Sequence, residues 1–416
     1  MAILSADRRY WRWFLIILAS GFALRLAWAL AVQVSLESDS VVYDQLAWNL
    51  ATHGAYAWDS GDLTAYWPVG TAFVYSLIYR LFGHSPEAIA ALNVLIGTMS
   101  IALIMALGRR WFSETTAIAA GAIAALWPSQ IEFTSVLASE LLFNFALLLS
   151  LWAASAVPIR SWWMKGLLAG GVLAGAAFVR PTALLLPALL VAALLWTRVA
   201  DWRAITRFTV AAIVTMAICI TPWALRNMRE LGAPVLISTN GAANFWMGNN
   251  PDSTGAYMPL PGSVAELSEV DRSKLLGDRA RHFILDQPGR AALLFANKLL
   301  ITHDRETIGV VWNEGSLRPA LGDFGIKATK AASTAYWWLV LALGCLGGFS
   351  LIAKTGWRAL YCPALMAWGY FAFVHAVTVG ADRYHFPSIP FIAMLAGYAL
   401  TLARRRRFHT LAVRSA

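Results

Sequence analysis

The chain has 416 residues, of which 59% are hydrophobic and 13% are charged, and its mean hydropathy is +0.58. Soluble domains contain roughly 25% charged residues, so this composition excludes a soluble globular protein and predicts an all-α polytopic membrane protein. The net charge of +10 does not indicate a nucleic-acid partner, because Lys and Arg fall in short loops between apolar segments, as cytoplasmic loops require.

Ten apolar segments predict about ten transmembrane helices. Their approximate bounds are 13–34, 87–107, 115–127, 139–158, 166–179, 182–196, 208–223, 334–353, 360–379 and 388–403. The first segment is too long for a signal-peptide core and lacks a small-residue cleavage site, so we expect it to remain as an anchor. Cys219, Cys345 and Cys362 lie in apolar segments without metal-ligand or disulfide spacing, and we interpret them as packing residues.

The charges between these segments predict the orientation. Arg8, Arg9 and Arg12 precede the first span, and four arginines at 404–407 follow the last one. Because basic loops stay in the cytoplasm, we place both termini there and both acid-rich segments outside. The chain is predicted to be a single membrane domain, 1–416, with outer segments at 35–86 and 226–331 and no soluble domain after the tenth span.

The first outer segment is predicted to contain two juxtamembrane helices. In the first, over 40–52, the apolar side chains of Val41, Leu46, Trp48 and Leu50 would face lipid headgroups, and Asp39, Asp44 and Asn49 would face water. Pro68 then begins an amphipathic helix over 69–82. We place it along the outer surface, because a span there would move Arg109 and Arg110 to the outside.

The second outer segment has three parts. Residues 237–257 are rich in Asn and Gly and predict a shaped loop. Residues 263–285 combine helical spacing with many charges, which predicts a solvated surface helix. Residues 291–301 are apolar and are accompanied by Arg290 and Lys298. The sequence leaves open whether they enter the membrane or lie on it.

Asp39 is the first candidate for chemistry, at the outer lip of the first span and near Tyr43, Asp44 and His53. A carboxylate beside an apolar surface is a suitable general base, and an unpaired charge at such a position is costly. The alternative is a solvated acidic loop, which composition alone does not exclude.

Two further candidates lie at helix ends. Glu140 begins the fourth span, where a carboxylate also stabilises a helix N-terminus without belonging to any site. Arg180 lies at the turn between two short spans, where an arginine is costly unless paired. Its partner would be Glu140 or a bound phosphate, since arginine suits bidentate phosphate contact.

Polar residues also gather in two other outer stretches. Asp382, Arg383, Tyr384 and His385 stand together before the last span, where the alternative is an interfacial anchor. Asn244, Asn249 and Asn250 lie beside aromatic residues, a combination that suits sugars, although a tight loop would have the same composition.

Several common catalytic signatures are absent from the sequence. It contains no P-loop, no dinucleotide-binding glycine motif, no HExxH and no recognisable Ser–His–Asp signature. Energy must therefore arrive with a preactivated substrate, or the protein is a transporter or flippase. Charges are scarce inside the spans and cluster at their outer ends, which favours chemistry at the membrane surface over transport. A non-catalytic scaffold is the third alternative.

The polar candidates belong to a series of stretches spread over most of the chain: 39–47, 67–70, 81–83, 139–142, 180–182, 221–227, 244–251, 254–255 and 383–387. In these stretches the sequence resembles the GT-C fold glycosyltransferases that use polyprenyl-phosphate sugars. It is similar to the bacterial proteins that resemble dolichyl-phosphate-mannose–protein mannosyltransferases and lipid A aminoarabinose transferases. Two departures are present: Ser40 stands where the family often has a second acid, and Trp67 stands where it often has a second proline.

The resemblance implies a reaction at the outer face of the bacterial inner membrane, at the lipid bilayer. Asp39 would deprotonate an acceptor hydroxyl, which attacks the anomeric carbon of the donor and displaces polyprenyl phosphate with inversion. Arg383, Arg180 and Tyr384 would hold the leaving phosphate. The remaining members of the expected site, which would line the substrate cavity, are Tyr43, Asp44, His53, Glu140, Asn244, Asn249, Asn250 and His385.

This mechanism requires no metal, because arginine can stabilise a leaving monophosphate. Asp44 and His53 leave a divalent cation as an alternative. The sequence identifies neither the sugar nor the acceptor, which could be a lipid, a polysaccharide or a protein.

Overall fold

The computed structural model describes residues 8–414, with side chains described for residues 8–403. This part of the chain is helical and has no strand, apart from one isolated bridge between Ala57 and Leu63. The predicted all-α class is therefore confirmed. The α-helices are α1 Arg8–Ala31, α2 Asp39–His53, α3 Val69–Phe82, α4 Pro86–Trp111, α5 Glu114–Ala125, α6 Pro128–Glu132, α7 Glu140–Ser155, α8 Trp162–Val179, α9 Pro187–Thr197, α10 Trp202–Leu231, α11 Asn240–Met247, α12 Glu269–Asp286, α13 Pro288–His303, α14 Ile308–Val311, α15 Glu314–Thr355, α16 Pro363–Val377 and α17 Ile389–Arg414.

The helices of the described residues support a multi-pass membrane protein. Six segments are long and apolar enough to cross a membrane: Arg8–Ala31, Pro86–Trp111, Trp162–Val179, Trp202–Leu231, Glu314–Tyr361 and Phe386–Ala403. A seventh candidate is a pair of helical segments, Pro128–Ser135 and Glu140–Ser155, bent by 118°. The helices α3, α5, α9 and α16 are apolar but shorter. Each predicted span coincides with a helix, whereas the number of ten crossings remains a prediction.

Local sequence signals explain where several helices begin. The hydroxyls of Ser85, Ser113 and Ser161 accept a hydrogen bond from a backbone amide in the first turn of α4, α5 and α8. Asp201 and Ser268 do the same for α10 and α12. These side chains satisfy amides that have no partner within the helix.

The membrane helices pack closely where small residues meet. Gly166 and Gly170 of α8 lie directly against the backbone of α10, at the carbonyls of Phe208 and Ala212. A side chain at either glycine would collide with that backbone. Small residues allow two helix backbones to approach closely in this way. In α17, residues 391–396 are fully buried.

Arg25 is a charged side chain buried within α1. Its exposed fraction is 1%. Its guanidinium donates to the carbonyls of Ala124 (3.1 Å) and Ala125 (3.3 Å), the last residues of α5, and to Gly21 (3.1 Å). The carbonyls at a helix end have no partner within the helix, so Arg25 caps α5 from a neighbouring helix. Arg25 is not among the residues predicted from the sequence.

The predicted faces of α2 were wrong for Leu46, Asp44 and Asn49, whereas Val41 is exposed, as predicted. Leu46 is fully buried rather than facing lipid headgroups, and Asp44 and Asn49 are 7% and 9% exposed rather than facing water. The reason is that α2 packs on α3 and its polar side chains find partners inside. Asp44 accepts hydrogen bonds from Tyr79 and from the ring of His84.

Most of the predicted second outer segment is helical. The helix α10 extends to Leu231, the predicted loop at 237–257 contains α11, and α12 and α13 follow. The predicted charged helix at 263–285 corresponds to α12. The helix α15 begins about 20 residues before the predicted eighth span and is broken at Gly322, whose φ of 62° requires a glycine-like conformation.

Candidate active site

A cavity of about 590 Å³ lies where the outer segments meet the ends of α8 and α16. Its walls come from α2, the residues before α3, the turn after α8, the helix α11, the end of α16 and the turn before α17. The lining residues are Ser38, Asp39, Tyr43, Tyr66, Trp67, Pro68, Ser139, Val179, Arg180, Pro181, Thr182, Asn240, Gly241, Asn244, Met247, Tyr257, Leu260, Ile308, Trp312, Val374, His375, Thr378, Val379, Ala381, Arg383 and Tyr384.

Asp39 and Arg383 form an ion pair at this cavity although 344 residues separate them in the chain. Asp39 is the first residue of α2, and Arg383 belongs to the turn before α17. The two side chains are 16% and 19% exposed, so both keep contact with the cavity. The guanidinium carbon of Arg383 also lies 4.8 Å from the ring centre of Trp312 and 5.4 Å from that of Tyr384.

A second ion pair joins Arg180 to Glu140. Arg180 directly follows α8, and its Nε donates to the Ser139 hydroxyl at 2.9 Å. The Glu140 side chain is 1% exposed and lies behind Arg180 rather than in the cavity wall. The two pairs therefore differ: the partner of Arg383 faces the cavity, whereas the partner of Arg180 is enclosed in the protein.

The turn that carries Arg383 is fixed from both sides. Before it, Asp382 accepts hydrogen bonds from the Thr307 amide (3.1 Å) and hydroxyl (2.7 Å). After it, the His385 ring donates to the Thr302 carbonyl at 2.8 Å and contacts the Glu306 carboxylate at 3.1 Å. The backbone at Arg383 is thus anchored to residues 302–307.

His375 was not selected from the sequence, yet it lines the cavity and is 8% exposed. Its ring stacks parallel to that of Tyr384, with centroids 4.3 Å apart and planes 6° apart. Because Tyr384 in turn lies beside the guanidinium of Arg383, the four side chains of Trp312, Arg383, Tyr384 and His375 form one stack along the cavity wall.

The helix α11 forms another wall of the cavity and is tied to the protein at both ends. At its start, the amides of Thr239 and Asn240 donate to the carbonyls of residues 65 and 66 at 3.0 and 3.2 Å. Beyond its end, the Asn249 side chain donates to the Val377 carbonyl at 2.8 Å. Lys298 donates to the Gly248 carbonyl (3.1 Å) and to the Asn249 side chain (2.9 Å). Burial lowers the pKa of Lys298 to about 8.

Six of the residues predicted from the sequence are brought together at the cavity: Asp39, Tyr43, Arg180, Asn244, Arg383 and Tyr384. Burial, assisted by the nearby charge of Asp39, raises the pKa of Tyr43. This phenol therefore stays protonated and can donate a hydrogen bond. Glu140 joins them indirectly through Arg180.

Five predicted residues lie away from the cavity wall, each for a physical reason. Asp44 is held by Tyr79 and His84. His53 is exposed at the end of α2. Asn249 and Asn250 use their amides on backbone carbonyls, which matches the tight-loop alternative. His385 is buried against Glu306.

Other lining residues were also missed, among them Asn240, Gly241 and Trp312. For Asn240 a signal was present, because its spacing of four residues from Asn244 would place both on one face of a helix. Among the described residues, no group of three or more His, Cys, Asp or Glu side chains could hold a metal ion.

Comparison with known proteins supports the fold. A family described as dolichyl-phosphate-mannose-protein mannosyltransferase matches residues 67–225. No curated protein matches the chain. The solved structure of ArnT from Cupriavidus metallidurans bound to undecaprenyl phosphate is 16% identical, with a TM-score of 0.59; the match covers 94% of this chain and 60% of ArnT.

A second group of similar structures is archaeal. The oligosaccharyltransferase AglB from Archaeoglobus fulgidus, in complex with an inhibitory peptide and a dolichol-phosphate, is 13% identical with a TM-score of 0.57. The match covers 98% of this chain and 52% of AglB, so the chain spans between half and two thirds of the length of these structures. The resemblance to GT-C fold glycosyltransferases is confirmed for the fold.

Proposed function

We propose that this protein is a membrane glycosyltransferase that moves a sugar from a polyprenyl-phosphate donor to a hydroxyl of an envelope acceptor. The observation that carries the proposal is the Asp39–Arg383 pair, a carboxylate and a guanidinium that share one cavity beside a second guanidinium, Arg180. The fold supports it, since two proteins of similar fold are described in complex with dolichol-phosphate and with undecaprenyl phosphate.

The reaction needs one base and one anion site. The acceptor hydroxyl forms a bond to the anomeric carbon and gives its proton to Asp39. The bond from that carbon to the phosphate oxygen breaks, and its electron pair leaves with the polyprenyl phosphate. Arg383 and Arg180 stabilise the growing negative charge on the phosphate. Attack opposite the leaving group inverts the anomeric configuration.

The ion pair itself defines the order of events in this mechanism. While Arg383 holds Asp39, the carboxylate is occupied and is a poor base. A donor phosphate that binds Arg383 competes with Asp39 for the same guanidinium. The carboxylate is then released to accept a proton. The base thus becomes available when the donor is bound, whereas Arg180 keeps its enclosed partner Glu140 throughout.

The predicted topology completes the proposal. With both termini in the cytoplasm, the cavity would open at the outer face of a bacterial inner membrane, where polyprenyl-phosphate sugars and envelope acceptors meet. The transferred group would be a hexose or a pentose. Two guanidiniums at the phosphate make a divalent cation unnecessary, and transfer should therefore persist in the presence of a chelator.

A transfer assay tests the function. Purified protein in liposomes would receive radiolabelled polyprenyl-phosphate sugars and an envelope extract, with Asp39→Asn in parallel. Label in a new glycosidic product with wild type but not with Asp39→Asn supports the proposal. If the labelled donor moves across the bilayer without forming a product, the protein is a flippase and the proposal is wrong.

A further inference from the structure

We propose that the inner face of α11 is the subsite for the transferred sugar, with Asn240, Gly241 and Asn244 as its specificity-determining residues. This inference rests on the proposed function, because it concerns the donor of that reaction. The ligand is the sugar part of the donor, a compact group rich in hydroxyls. The polyprenyl phosphate part belongs to Arg180 and Arg383, which line the same cavity.

The first observation is the spacing of lining residues on α11. Asn240, Gly241, Asn244 and Met247 all line the cavity. Asn240, Asn244 and Met247 follow one another at spacings of about one helical turn. One continuous face of the helix therefore looks into the cavity. This face offers the side-chain amides of Asn240 and Asn244, which together present the donor and acceptor atoms that a sugar hydroxyl needs. The Asn240 oxygen also accepts a hydrogen bond from the Ser238 hydroxyl at 3.0 Å.

The second observation is the aromatic wall that meets α11. Tyr66, Trp67 and Tyr257 line the same cavity. A sugar ring has apolar C–H faces that can lie on aromatic rings while its hydroxyls bond to amides. Tyr66 is joined directly to α11, because its carbonyl accepts from the Asn240 amide at 3.2 Å. The aromatic and amide walls are thus held at a fixed distance.

The third observation is the empty space at Gly241. A Cβ placed on this glycine would meet no atom within 4 Å, and its φ is not in the left-handed region. Neither packing nor backbone conformation requires a glycine here. Because glycine has no side chain, Gly241 leaves room in the cavity beside Asn240 and Asn244, where a sugar would lie.

The rigidity of α11 fits a recognition surface. The helix is anchored by backbone hydrogen bonds at its start and by Asn249 and Lys298 beyond its end. The Lys298 side chain is 1% exposed and reaches the carbonyls of both Gly248 and Val377. Groups held in this way lose little conformational entropy when they bind a ligand.

The experiment uses Gly241→Leu and a matched control, Gly289→Leu. Both glycines are the second residue of a helix, α11 and α13, and neither has an atom within 4 Å of an added Cβ. Only Gly241 lines the cavity. The probes are undecaprenyl phosphate and the undecaprenyl-phosphate sugar that wild type uses best from a panel. Binding of both is measured in detergent.

We expect Gly241→Leu to bind undecaprenyl phosphate as wild type does and to bind the glycosylated lipid at least tenfold more weakly. Gly289→Leu should bind both lipids as wild type does. Asn240→Ala and Asn244→Ala should each weaken binding of the glycosylated lipid roughly tenfold, because each removes a hydrogen bond that a buried hydroxyl needs.

Two results would overturn the inference while leaving the proposed function intact. In one, Gly241→Leu binds the glycosylated lipid normally, so α11 does not contact the donor sugar. In the other, it loses affinity for both lipids equally, so the effect does not concern the sugar. If wild type binds no polyprenyl phosphate and transfers no sugar, the proposed function itself is wrong.

Discussion

Replacing Asp39 by asparagine is expected to abolish transfer and, at the same time, to strengthen the binding of undecaprenyl phosphate. The reason is the ion pair. In wild type the lipid phosphate must compete with Asp39 for Arg383, and asparagine carries no charge with which to compete. The substitution keeps the size of the side chain, so the cavity should keep its shape.

The size of the effect follows from the contact that is lost. A hydrogen bond to a charged group contributes about 1.5–3 kcal/mol, and both side chains here are mostly buried, at 16% and 19% exposure. If the phosphate no longer has to break this contact, its affinity should rise roughly tenfold to a hundredfold. The assay is a titration of purified protein with undecaprenyl phosphate in detergent at constant ionic strength.

Two comparisons make the result decisive. Asp62→Asn removes a carboxylate from the same outer segment but outside the cavity lining, and it should leave both affinity and transfer unchanged. Arg383→Gln should weaken phosphate binding, with or without Asp39. An affinity that is unchanged or lower in Asp39→Asn, in folded protein, would refute the competition between carboxylate and phosphate.

Three other predictions concern residues that support the site or the fold. Arg25→Met should lower the free energy of unfolding by about 1–3 kcal/mol, because the last carbonyls of α5 lose their hydrogen-bond donor. Thermal unfolding in detergent measures this loss, and Arg25→Lys should restore part of the stability. Burial lowers the pKa of Lys298 to about 8. Between about pH 8 and about pH 10.4 the unfolded chain therefore binds more protons at Lys298 than the folded chain does, so the free energy of unfolding rises with pH. Melting curves of Lys298→Met should lack this rise. His375→Ala should raise the donor KM through loss of the Tyr384 stack, and His375→Phe, which keeps an aromatic ring, should restore it.

Each of these predictions has a result that contradicts it. An Arg25→Met protein as stable as wild type would mean that α5 needs no donor from α1. Parallel pH–stability curves for wild type and Lys298→Met would mean that this ammonium does not titrate in the window. Equal donor KM values for wild type and His375→Ala would show that the stack does not position Arg383.

The sequence predicts the helices well because each depends on a local signal. Long apolar runs and their capping residues, such as Ser85 with Pro86, specify where a membrane helix begins whatever it packs against. The helix α11 was missed because its eight residues are rich in Asn and Gly, which favour turns in isolation. Backbone bonds to residues 65 and 66 hold this segment in place, and no local pattern reveals them.

The site could be predicted only in part, because local signals indicate single residues but not the contacts between them. Asp39 and Arg383 are unusual in their own surroundings, so each could be selected, but their contact across 344 residues is a property of the fold. His375 lies within the apolar run of α16 and looks like a packing residue. Conversely, Asp44 and His385 look like site residues until the partners that bury them, His84 and Glu306, are known.

The most direct test of the central claim is to count and characterise the products of a single turnover. Wild-type protein would be mixed with a polyprenyl-phosphate sugar of known anomeric configuration and an excess of acceptor, and both products would be isolated. We expect one polyprenyl phosphate to be released per sugar transferred, with the anomeric configuration inverted. A retained configuration, or free sugar with no glycosylated acceptor, would contradict direct attack by a hydroxyl that Asp39 deprotonates.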